Sequence, residues 1–221
     1  MDSQDVVHNQ GNLRHDGSTR QIILMLLKTK GPSNAGDLAK SLGVTEMAVR
    51  RHLNTLERDG YVRPNIVRQP MGRPAHVFGL TEEADGLFPK NYNTLALDLL
   101  EELEGDPELS GAVTKLFEGR KQKLLERYRS RMEGKSLEQR VEELALIQNA
   151  GGYMTQVEAV DRGHYIFNEF NCPIAQVANR YQQACNCELA LFEALLEAPV
   201  ERTECMAKGG GKCSYHIKQQ K

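Results

Sequence analysis

No apolar run in this 221-residue sequence is longer than the six residues Ile22–Leu27, far short of the about 20 needed to span a bilayer. The opening residues Met1–Gly17 are polar and carry acids rather than a basic start with an apolar stretch, so no secretory leader is expected. A cytoplasmic protein without membrane contact is the expectation. Cysteine is missing from the first 171 residues, and no Cys-x-x-Cys pair occurs anywhere, which removes the usual zinc-ribbon pattern. A net charge of only -2 gives the whole chain no strong polarity, while 40% apolar residues suffice for one large domain or two small ones. We expect two.

What is present is unevenly placed. From Arg14 to Leu80 there are eleven Lys/Arg against five Asp/Glu, whereas from Thr81 onward acids exceed bases, 23 to 17. The first part is therefore suited to face a polyanion, and the second does something else. Met1–Gly17 has no hydrophobic periodicity and reads as a flexible arm. Ser18 can then cap a helix with Ile22, Ile23, Leu26 and Leu27 on its apolar positions, stopped by Gly31-Pro32. Asn34–Leu42 has Ala35, Leu38, Ala39 and Leu42 at helical spacing. A turn at Gly43 leads to Thr45–Asp59, with Val49, Leu53 and Leu56 on one face. Tyr61-Val62-Arg63 reads as a strand, Gln69–Pro74 as a loop and Ala75–Leu80 as a returning strand, which together make a wing.

Two helices joined by a short turn, the second with basic residues near its start, can lay that second helix in the major groove of double-stranded DNA. Ala48, Val49, Leu53 and Leu56 are needed for packing, so Thr45, Glu46, Met47, Arg50 and Arg51 are expected to face operator DNA. Arg68 and Arg73 are expected to reach the backbone or minor groove from the wing. The recognition helix and the Gly72-Arg73-Pro74-Ala75 wing resemble those of the DeoR and ArsR groups of bacterial repressors.

Beyond Pro89 the pattern is helical at about Thr94–Glu104, Pro107–Glu133 and Ser136–Asn149. Leu95, Leu99, Leu103, Leu116, Leu124, Leu137, Val141 and Leu144 form apolar stripes that suit a connector or a dimer-forming coil. From Gly151 alternation takes over. Tyr153, Val157 and Val160, a turn at Asp161-Arg162-Gly163, then Tyr165 and Phe167 predict a hairpin, followed by a helix over Pro173–Glu197. Val200–Met206 and Lys212–Ile217 predict a second hairpin around Gly209-Gly210-Gly211. The glycine run is not followed by a strand-to-helix step, so it reads as a turn rather than a phosphate cradle.

All five cysteines, Cys172, Cys185, Cys187, Cys205 and Cys213, fall in the last fifty residues. In a reducing cytoplasm such density points to metal, cluster or redox chemistry rather than disulfides. Four thiolates at one site suit an iron-sulfur cluster or zinc, and spacing alone does not choose, although widely separated cysteines better surround a larger cubane. Cys187 lies two residues along a helix from Cys185 and points about 200 degrees away, which sets it aside. His164 and His216 are read as surface or packing residues.

Asn171-Cys172-Pro173-Ile174, Cys185 with Glu188, Val200-Glu201-Arg202 and Cys213-Ser214-Tyr215-His216-Ile217 resemble the C-terminal signature of SufR-type iron-sulfur cluster-sensing repressors. The resemblance implies a homodimer that holds a [4Fe-4S] cluster and represses the suf genes of cluster assembly. It carries ligation to Cys172, Cys185 and Cys213. This sequence lacks a cysteine just before Val200, where some members have one, so Cys205 is the expected fourth ligand, with Glu188 or an outside ligand as alternatives.

The expected fold is mainly α with α+β parts. A winged helix-turn-helix occupies residues 18–89, a helical connector and dimerisation region 90–149, and a small α+β sensor domain 150–221. The expected activity is transcriptional regulation, not enzymatic. A zinc- or thiol-redox-responsive repressor using the same cysteines is the rival.

Overall fold

The computed structural model describes residues 18–68 and 74–219 and divides into two compact units, one up to Lys90 and one from Asn91 onward. The expected arm, Met1–Gly17, and most of the expected wing loop, including Arg73, lie outside the described residues.

In the first unit α1 (Thr19–Lys30), β1 (Ser33–Asn34), α2 (Ala35–Leu42), α3 (Glu46–Arg58), β2 (Val62–Val67) and β3 (Ala75–Leu80) follow in order, with a 3₁₀ turn at Glu83–Leu87. Local chemistry sets the bounds of α2 and α3. The Asn34 side chain accepts from the Asp37 amide at 2.8 Å and so caps α2. Gly43, at φ 69°, takes the left-handed conformation that ends it. Thr45 Oγ1 then accepts from the Ala48 amide at 3.3 Å and opens α3 two residues later. Ile23, Leu24 and Leu27 of α1 meet Leu38 of α2, Val49, Leu53 and Leu56 of α3, and Val62 and Phe78 of the sheet in one core.

The sheet has three antiparallel strands in the order β1-β3-β2. Residues 33–34 pair with Phe78 and Val77, a strand not expected from the sequence because two residues carry no period. Strand β2 also continues four residues past Arg63, through Pro64. It lies at the sheet edge, where a proline costs little pairing.

The second unit comprises α4 (Tyr92–Gly105), α5 (Ala112–Met132), α6 (Leu137–Ala150), β4 (Thr155–Asp161), β5 (His164–Glu169), α7 (Ala175–Arg180), α8 (Gln182–Leu196), β6 (Val200–Glu204) and β7 (Cys213–Lys218). The expected helix 107–133 is interrupted. A 3₁₀ turn at Pro107–Leu109 precedes Gly111 at φ 80°, and α5 starts only after it. The expected helix 173–197 splits at Tyr181, whose φ of -119° and ψ of 89° are not helical. Tyr181 is buried there, with its ring centroid 6.5 Å from that of Phe117, so packing of the aromatic ring accompanies the break.

The two hairpins form one antiparallel sheet, β4-β5-β7-β6, joined by the pairing of β5 with β7. The first is the hairpin expected around Asp161-Arg162-Gly163, and on its edge strand β4 Val157 and Val160 are exposed. Residues 90–149 do not stand apart as a connector. Val113, Phe117, Val141, Leu144 and Ile147 share a core with Phe167, Phe192 and Tyr215, because a sheet of this size needs helices to cover its apolar face. The boundary expected at residue 149 therefore runs through a continuous core.

Candidate functional site

Helix α3 turns one polar face outward. Thr45, Glu46, Met47, Arg50 and Arg51 are all exposed, Met47 at 78%, while Val49, Leu53 and Leu56 are fully buried. Their roles differ. The Thr45 hydroxyl is engaged as a cap, and Arg50 donates through Nε and Nη2 to Glu46 Oε1 at 2.9 and 2.6 Å. Arg51 makes no ion pair with any described residue, so its guanidinium is the one in this set available in full. Asn54 is also exposed, three and four residues beyond Arg51 and Arg50, and lies in the middle of the same face. Sequence reading passed over it, although the spacing was visible. Arg68 is exposed at the end of β2, where the wing loop begins.

The cysteines come from four segments of the second unit. Cys172 lies between β5 and α7, Cys185 on the first turn of α8, Cys205 after β6 and Cys213 at the start of β7. Cys172, Cys185 and Cys213 line one small cavity of about 20 Å³, together with Glu169, Glu188 and Tyr153. Cys205 is also buried and adjoins it, close enough to Cys185 and Cys213 for its charge to raise both thiols. All five cysteines are free thiols. Cys187 faces away, with its Sγ 3.4 Å from Glu118 Oε1 of α5. His164 and His216 pair with each other at 3.3 Å, outside the cavity lining.

Burial, reinforced by nearby Cys205 and by Glu188 for Cys185 or Glu169 for Cys213, pushes both thiols up to about 12. Burial also raises Cys172. The hairpin is pinned on both sides. Arg202 of β6 donates to the Cys185 carbonyl at 2.7 Å, and the Met206 amide donates to Cys213 Sγ at 3.5 Å. At the turn, a Cβ on Gly210 would lie 2.9 Å from the Cys205 carbonyl oxygen, so only glycine lets the backbone pass so close to that cysteine.

Two buried carboxyls complete the wall. Glu169 is fully buried and accepts from Gln148 Nε2 at 2.7 Å, while its Oε2 has no hydrogen-bond partner. Glu188 accepts from the Tyr215 hydroxyl at 3.1 Å. Burial, with the Glu188 charge beside it, raises Glu169 to about 9. Sequence reading missed Glu169, because a carboxylate on a strand reads as an outward position. As a donor set, four thiols and an unpartnered buried carboxyl oxygen are in kind what a thiophilic cluster or metal takes. Among the described residues, though, no three His, Cys, Asp or Glu side chains are arranged as a metal-ion site.

Residues 18–65 match the family described as an HTH domain, which covers about a fifth of the chain. No curated protein matches. Among solved structures, transcriptional regulator Tm0710 from Thermotoga maritima is 22% identical, covering 52% of this chain and 79% of its own, with a TM-score of 0.32. Smu.1604c from Streptococcus mutans UA159 is 14% identical, covering 80% and 96%, with a TM-score of 0.26. The first unit is a winged helix-turn-helix domain, and the class it defines is that of DNA-binding transcriptional regulators. Among the described residues no helix is long and apolar enough to cross a membrane.

Proposed function

We propose that this chain is a cytoplasmic homodimeric repressor of iron-sulfur cluster assembly genes whose operator affinity is set by a [4Fe-4S] cluster on Cys172, Cys185, Cys205 and Cys213. The observation that carries this reading is that three cysteines far apart in sequence line one buried cavity and the fourth adjoins it. When bound, such a cluster supplies an oxidant-labile crosslink between the segments that bear its ligands. The chain's own residues do the rest. Arg202 holds the start of α8 against β6, and the Gly210 turn brings Cys205 and Cys213 together.

Burial disfavours the thiol-redox rival. The thiolate is the reactive form, and thiols held near about 12 are almost wholly protonated at neutral pH. Cys172, Cys185, Cys205 and Cys213 would hold a cluster or metal as thiolates, and its positive charge would supply the stabilisation that burial denies them. Occupancy changes DNA affinity only if the cluster is held more tightly by one of two states of the dimer.

Protein purified without oxygen is expected to be brown, with about four irons per chain and a broad band near roughly 400 nm. Cys213→Ser should lose both, and the loaded and stripped proteins should differ in operator affinity. A colourless protein, or one carrying zinc after anaerobic reconstitution, refutes the cluster. At the other end of the molecule, Arg51→Ala should weaken operator binding by about 1–3 kcal/mol in a fluorescence anisotropy titration. Unchanged binding would remove α3 as the reading helix.

A further inference from the structure

Helix α4 is apolar on more of its circumference than the unit covers. Leu97, Leu100 and Leu103 pack against the core, yet Tyr92, Leu95 and Leu99 remain 70%, 55% and 58% exposed. Their 3-4 spacing puts them in one stripe, which Glu102 continues and Asp98 flanks. On α5 a second stripe begins with Leu116, 51% exposed, and runs through Arg120, Lys123 and Arg127 at 4-3-4 spacing, all exposed. Between them lies an apolar groove of about 620 Å³, lined by Leu99, Leu103, Leu116, Phe117, Ile174 and Val177, with Glu102 and Arg120 on its rim. An apolar patch of this kind with a polar rim marks an interaction surface.

The charge pattern selects the occupant. The exposed acids Asp98 and Glu102 belong to α4 and the exposed bases Lys123 and Arg127 to α5, and none of these four is in an ion pair with a described residue. A two-fold axis through such a face lays the acidic stripe of one copy against the basic stripe of the other, with leucines between. We infer that a second copy of this chain docks here, its α4 seated along α5 across a two-fold axis. Ile174, two residues after Cys172, lines both this groove and the thiol cavity. The interface therefore borders the wall of the proposed sensor site. The inference rests on the homodimer in the reading above but not on the cluster.

The test is the solution mass of the full reduced chain by light scattering, with dissociation constants from sedimentation. Wild type should be a dimer. Leu95→Glu with Leu99→Glu should weaken it at least about tenfold while helicity is retained. Lys123→Glu with Arg127→Glu should also weaken it, and adding Asp98→Lys with Glu102→Lys should restore the dimer, which a merely structural role of these surface charges would not do. A monomeric wild type, a dimer indifferent to the leucine changes, or a failed charge swap overturns the inference. So does a monomer that takes up an apolar carboxylic acid in the groove. Dimers that respond as expected in a colourless protein leave this interface standing and remove only the cluster.

Discussion

Phe167→Ala is expected to lower the stability of the unit from Asn91 onward by about 3–5 kcal/mol, a large share of what a domain has. Phe167 is fully buried on β5, the strand through which the two hairpins become one sheet. Its ring meets Phe192 of α8 edge-on at 5.7 Å and Tyr215 of β7 at 6.3 Å, and those two rings lie 5.0 Å apart. Truncation removes the aromatic contacts and leaves a void bordered by both the sheet and α8. Relaxation cannot fill it cheaply, because rings on two different elements would have to move together. The thiol site shares those elements. Cys185 lies on α8 and Cys213 begins β7, so their positions depend on the same packing. Hydrogen exchange read by mass spectrometry should show faster exchange across β5, β7 and α8, with amides of α2 and α3 unchanged. A loss below about 1 kcal/mol would mean that this cluster is not the keystone of the unit.

The first unit was legible because its signals are local. Asn34, Gly43 and Thr45 announce the helix ends, and Val49, Leu53 and Leu56 carry the period, so α2 and α3 follow from a few residues on either side. The second unit depends on distant pairings. Nothing near Phe167 states that its strand will lie beside Tyr215 rather than only beside Val157, and the two-hairpin reading stopped there. The helix break at Tyr181 was hidden for a similar reason. No glycine or proline marks it, and the partner that its ring packs against, Phe117, is on another helix. At the thiol site, residue type and clustering pointed to Cys172, Cys185, Cys205 and Cys213. The helical angle set Cys187 aside, and its contact with Glu118 lies on the side of α8 toward α5. Glu169, by contrast, carried no signal, since only the folded sheet shows that a carboxyl has been drawn inside.

That carboxyl gives the second large effect, a fall in stability with rising pH that Glu169→Gln should lessen, leaving the same-signed share of Glu188, whose carboxyl burial also pushes up. In the folded chain Glu169 holds its proton up to about 9, whereas in the unfolded chain it releases it near the ordinary value of about 4.3. Between those limits the folded state binds the extra proton. Each pH unit then lowers stability by up to about 1.4 kcal/mol, and the loss is complete only above the folded value. At pH 7 the contribution is at most about 3.5 kcal/mol below its value at pH 4. Glutamine keeps an acceptor for Gln148 Nε2 and carries no ionisable group. Its amide hydrogens occupy the position of Oε2, which has no partner, so the variant is expected to be the less stable protein at pH 5 and the more stable one at pH 8.5. Urea unfolding of the metal-free, reduced full chain at those two values reads the crossing directly. If the two proteins instead change in parallel, Glu169 is already ionised in the fold over this range and the pH dependence comes from other groups.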